Sequence, residues 1–156
     1  MAALSDYLES GLLHHLFLGS SFSKPANISI ALCSGVPKDS DTGATIPEVP
    51  SGINNQLTGY ARIDLGDPST DGDDNWLYSL ANNAVGSGVL SNKVNFVFDK
   101  ALLDWGWVSG IAITDSPDYK TGNLLMHAQL DNPRVVYMGD TPKFRSEEHT
   151  SELQSL

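Results

Sequence analysis

Apolar and polar residues alternate in short runs along most of this chain, and the two-residue period predicts a protein built mainly of strands. Ile28, Ile30 and Leu32 alternate with Asn27, Ser29 and Ala31, which gives a half-buried strand ending near Gly35-Val36-Pro37. In 60–65, Ala61, Ile63 and Leu65 share one face and Tyr60, Arg62 and Asp64 the other. Val94, Phe96 and Phe98 form the most hydrophobic strand face in the chain. Within 104–130, Ile111 and Ile113 oppose Gly110, Ala112 and Thr114, while Leu124, Met126, Ala128 and Leu130 oppose Leu125, His127 and Gln129. The small residues mark a face on which another segment packs closely. Strands over 108–114, 124–130 and 134–138 complete the set, with Asn132-Pro133 expected as a turn between the last two.

One stretch has a different period. Leu8, Leu12 and Leu16 recur every four residues, widened by Leu13 and Phe17, and predict a helix over 5–18. Ser5 is placed to cap its start, Asp6 and Glu9 suit the positive end of its dipole, and Gly19 can end it. Such a helix must bury one face, against an open end of the strand layers or against a neighbouring subunit. From Lys38 to Gly59 there is no sustained period, and Pro37, Pro47 and Pro50 punctuate the region. A loop of that length is expected to be functional or mobile. Short strands, no repeated helical crossovers and Gly/Pro-rich connections predict a mainly β protein: an antiparallel β-sandwich of jelly-roll type with one short N-terminal helix.

With 156 residues, of which 40% are hydrophobic, the chain has material for one domain and one core. Its net charge of −10 repels nucleic-acid phosphate, so direct DNA binding is not expected. The single cysteine, Cys33, is flanked by apolar residues and reads as a small core group. No apolar run reaches the roughly 18 residues of a membrane span, and the N-terminus lacks the pattern of a secretory leader. A soluble protein without a membrane partner is expected.

The candidate chemistry is thin. The acidic run Asp67, Asp71, Asp73, Asp74 and Asn75 invites a calcium reading, but its spacing lacks the ligand alternation and distal Glu of a calcium loop, so a solvated turn fits better. His14 and His15 are adjacent on the helix and cannot ligate one metal from the same face. Ser87 lies between two glycines in a turn-like triplet, outside any nucleophile motif. Asp115 and Asp118 form a pair that could act on a glycosidic bond, yet the loop DSPDYKTG explains them as turn formers. We therefore expect no enzyme activity and no cofactor or metal.

The order of several short words carries more. SDYLESGLLHHLF, ISIALCSGVPKDS, GYARIDL, LSNKVNFVFDKALLDWGWVSGIAITD and the Gly-Asn-Leu-Leu step after it together resemble a family of tailed-bacteriophage virion proteins of tail-fibre-like or capsid-cement type. The resemblance implies a non-enzymatic virion component, made in the host cytoplasm, that docks on the capsid or tail. Its expected partners are copies of itself and other virion proteins such as the major capsid or tail proteins. The residues expected at the interface are Leu8, Leu12, Leu16 and Phe17 on the helix, Ile46, Ile53 and Leu57 in the long loop, and Trp105 and Trp107, which lie two apart at a strand start and so share a face, with core packing expected of at least one of them. A tail-tip module that recognises host surface carbohydrate through Tyr60, Tyr78 and Tyr119 is the alternative. After VVYMGDTPKF the resemblance is expected to stop, because RSEEHTSELQS matches the translation of a sequencing-library adapter. On that reading residues 1–144 form the domain and 145–156 are a non-native tail.

Overall fold

The computed structural model describes residues 2–50, 55–67, 76–78, 90–92 and 95–144. In chain order the elements are β1 (Ala2–Leu4), α1 (Asp6–Phe17), β2 (Ser29–Cys33), α2 (Asn55–Thr58), β3 (Ile63–Asp64), β4 (Trp76–Tyr78), β5 (Leu90–Asn92), β6 (Phe96–Val97), β7 (Gly106–Thr114), β8 (Leu124–Val136) and β9 (Lys143–Phe144). The fold is mainly β, as the alternation predicts. Five strands form one antiparallel sheet in the order β1-β8-β7-β2-β3, and β4-β5 and β6-β9 form two-stranded ribbons. Among the described residues there is one full sheet, with Phe96 of the β6-β9 ribbon and loop residues packed on it.

The sheet is buried on both faces at its centre. Every residue of β2 is buried, where a half-buried strand was expected. On one face Ile30, Leu32, Ile111 and Ala128 meet Tyr60, Phe96, Phe98 and Trp105. Tyr60 and Phe98 stack at 6.2 Å between ring centroids, and Trp105 meets Tyr60 edge-on at 5.2 Å. On the other face Ala31, Cys33, Ala112 and Leu124 are covered by Ile46. The chain after β2 comes so close to the sheet that a Cβ on Gly110 would sit 2.5 Å from the Gly35 carbonyl oxygen. This is the close packing that the run of small residues announces.

Two strand expectations change. The expected turn at Asn132-Pro133 is absent: β8 runs continuously through it, and between the pairs Val108–Arg134 and Gly110–Gln129 β7 advances two residues while β8 advances five. A bulge is where a residue without an N–H can sit in a strand without breaking the ladder. In 60–65 the buried face is reversed at its start, with Tyr60 and Arg62 buried and Ala61 exposed. The cause is a polar network described below. β1 was not expected, since three residues carry no readable period; Ala2, Ala3 and Leu4 pair with Ala128, His127 and Met126.

Candidate docking surface

α1 begins as its sequence predicts. The Ser5 side chain accepts a hydrogen bond from the Leu8 N–H at 3.2 Å and donates to the Leu124 carbonyl, while the Ser5 N–H donates to the Leu125 carbonyl at 2.9 Å. The cap thus fastens the helix to the start of β8. The Asp6 N–H donates to the Asp39 carbonyl, and the Asp39 carboxylate meets His127 Nε2 at 2.8 Å, which ties the same corner to the long loop. At the other end Gly19 has φ +70, and the Leu18 and Ser20 N–H groups both reach the His14 carbonyl.

Beyond that fastening, α1 is covered only in part. None of its residues is buried, and Phe22 covers Gly11 and tilts against Tyr7 at 5.8 Å. Leu8 is half-buried. Leu12, Leu13, Leu16, Phe17 and Leu18 are 39 to 77% exposed, so an apolar area lies open to solvent on the distal half of the helix. Residues 10–38, which include this half, contain no Asp or Glu.

A second open apolar area lies at the end of β8 remote from the α1 cap. There the Leu102 N–H donates to the Thr58 carbonyl, the Gly139 N–H to the Ala101 carbonyl, and the Met138 N–H to the Asp104 carboxylate. These bonds draw together Leu57, Leu102, Leu103, Tyr137 and Met138, all exposed. Trp107 is about half exposed nearby, opposite Val135 on β8.

Of the residues expected at an interface, Leu12, Leu16, Phe17, Leu57 and Trp107 lie at the surface, and Leu8 at its margin. Ile53 lies outside the described residues, as do the acidic run at 71–75, Ser87 and the segment from 145. Ile46 is corrected, being buried in the chain's own core, and Trp105 takes the core place expected of at least one tryptophan of the pair. Trp105 and Trp107 do not share a face because Gly106 between them has φ +85, which breaks the alternation and turns one ring inward and the other out. The Trp105 indole N–H donates to the Thr58 carbonyl, so the polar edge of the ring is satisfied inside.

The long loop also differs from its expected role, over its first part. Arg62 and Glu48 form a fully buried ion pair, with Nε to Oε1 and Nη2 to Oε2 both at 2.8 Å. The guanidinium donates further to the carbonyls of Gly43, Ser116 and Thr121 and to the Thr114 hydroxyl. Glu48 also accepts from the Tyr60 hydroxyl at 2.9 Å and the Lys120 N–H at 3.1 Å. This network staples 43–48 and the β7–β8 turn onto the sheet. It also occupies the tyrosines of the carbohydrate alternative: Tyr60 is buried, and the Tyr119 hydroxyl donates to the Pro50 carbonyl. The Tyr78 side chain lies outside the described residues. Asp115 accepts from the backbone and side-chain amides of Asn123, the turn-forming role expected of it. Sequence reasoning missed Arg62, Glu48 and the His127–Asp39 pair, because their partners are far away along the chain.

Two apolar areas are thus open on an acidic chain, and comparison with known proteins supplies the family. The family model described as Podophage GP4 fiber I protein gp80 matches residues 3–152. The chain belongs to that family. Comparison with curated proteins returns no match. As a gp80-family chain it is a bacteriophage structural protein and a virion component, in keeping with the resemblance read from its sequence. The match continues past Phe144, where the resemblance was expected to stop, as far as residue 152.

Proposed function

We propose that this gp80-family chain is a non-enzymatic subunit of a podophage tail fibre, held in place by exposed apolar surface repeated over many copies. The observation that carries the reading is a twelve-residue helix that buries none of its own residues. A soluble domain exposes a large contiguous apolar patch at a cost in solubility, and such patches mark contact sites. The family name favours a tail position over a place on the shell. Symmetric repetition supplies avidity, so each contact can be weak.

The enzymatic alternative draws no support from the polar groups, since the Asp115 carboxylate is engaged in its own turn. The carbohydrate reading is likewise not favoured, because Tyr60 is sealed in the core and the Tyr119 hydroxyl is engaged by the backbone. Labelled antibody on intact particles, combined with quantitative mass spectrometry, tests the proposal. Label at the tail vertex with a copy number far below that of the shell subunit is expected. Label spread evenly over the shell would overturn the tail assignment.

A further inference from the structure

We propose that the corner where β1, α1 and the long loop meet β8 is an acid-released clasp with His127 as its trigger. As the pH falls from about 7.5 to about 5.5, the N-terminal arm of residues 2–17 lets go of the sheet while the rest of the chain stays folded. The device belongs to the chain itself and does not depend on its place in a fibre.

The arm is held at one place. Ala3 pairs with His127, the Ser5 hydroxyl and N–H donate to the Leu124 and Leu125 carbonyls, and the Asp6 N–H donates to the Asp39 carbonyl. The Asp39 carboxylate is itself held by His127 Nε2 at 2.8 Å. Of residues 2–17 only Ser5 is buried, so little else fixes the arm.

His127 is buried, and its two ring nitrogens stand in different surroundings. A carboxylate only accepts, so the proton of the neutral ring sits on Nε2 and Nδ1 keeps its lone pair. Nδ1 is buried and has no hydrogen-bond partner among the described residues. A second proton must go there, where it meets neither an acceptor nor water. Against this works the pull of the Asp39 carboxylate on an imidazolium. The Asp39 side chain is 60% exposed, so water weakens that pull, while a buried Nδ1–H has no such relief. Burial therefore wins. The ring takes its second proton more readily once the arm has opened and water reaches Nδ1, so acid favours the open form.

The other groups around the ring leave that sign in place. Ala3 on β1, Ala112 on β7, and Leu125 and Gln129 on β8 flank it and carry no charge. On β2, Cys33 lies two residues from Ala31, the partner of Ala112, and burial pushes its thiol up so that it stays protonated. Asp6, Tyr7 and Glu9 on α1 and Lys38 in the loop are exposed, and Asp41 is engaged by the Lys38 N–H and the Thr45 hydroxyl.

Hydrogen exchange of the full chain, followed by mass spectrometry and corrected for the intrinsic pH dependence of exchange, tests this. Between about pH 7.5 and about 5.5, a window above the ordinary carboxylate range, protection of residues 2–9 should fall several-fold while that of β7 holds. H127Q keeps a donor for Asp39 and takes no second proton, so it should show no such fall. H14Q/H15Q, which removes the two histidines of α1, should keep it. D39N should keep or deepen it, since only the opposing pull is lost. Unchanged or rising protection in the wild-type chain, a fall shared equally by β7, a fall that persists in H127Q, or one abolished in D39N would each overturn the proposal. If the far-UV spectrum at neutral pH shows H127Q unfolded, the wild-type and D39N series decide.

Discussion

Arg62 and Glu48 show how a single residue pair can organise a fold whose sequence says little about it. Both side chains are fully buried, and the guanidinium meets oxygens of four other residues as well as the carboxylate. Taking two charges out of water costs several kcal/mol each, so the pair stands only because its hydrogen bonds are complete. Glu48→Gln leaves the guanidinium uncompensated, and a loss of about 3–5 kcal/mol in unfolding free energy is expected from urea titration. Burial, with Glu48 adding to it, pushes the Cys33 thiol and the Tyr60 hydroxyl up from ordinary values of 9.0 and 10.0. The folded protein holds both protons after the unfolded chain has released them. The share of stability that these two groups set is therefore unchanged below about pH 8 and is lost as pH rises through about 9 and beyond. Thermal melts taken upward from about pH 8 should show this decline, and C33A should delay its onset.

At the scale of elements, backbone geometry decides more than propensity. α1 is legible because its cap, its first-turn acids and its terminal glycine all fall where a helix needs them. Ser5→Ala removes both the cap and the fastening to Leu124, and should cost ~1–2 kcal/mol while freeing the helix for faster amide exchange. β7 and β8 are legible from alternation, but the bulge in β8 is not, because Asn132-Pro133 reads locally as a turn and only the pairing with β7 keeps it in the strand. Gly110 is explained by its neighbour: a methyl group there meets the Gly35 carbonyl at 2.5 Å, which backbone cannot yield cheaply. Gly110→Ala is expected to destabilise by roughly 1–3 kcal/mol, read by denaturant midpoint at unchanged slope.

For the whole molecule, acidity and apolar exposure pull against each other. A net charge of −10 keeps copies apart, while the uncovered leucines on α1 leave apolar area that any association would cover. Added salt screens the first and leaves the second. Self-association should therefore strengthen as ionic strength rises from about 50 mM to about 500 mM, the reverse of a contact built on ion pairs, and sedimentation at the two salt levels checks it. What the sequence determined by itself is local: the strand-rich class, the helix and its cap, the small-residue face and the family. These follow from periods of two and four and from capping chemistry, which act between near neighbours. Only the tertiary structure decided which apolar residues are spent inside and which remain for a partner. Ile46 and Trp105 look as available as Leu16 and Trp107 in the sequence. Their burial depends on what the long loop covers and on a glycine that turns one tryptophan inward, and neither is written within a few residues of them.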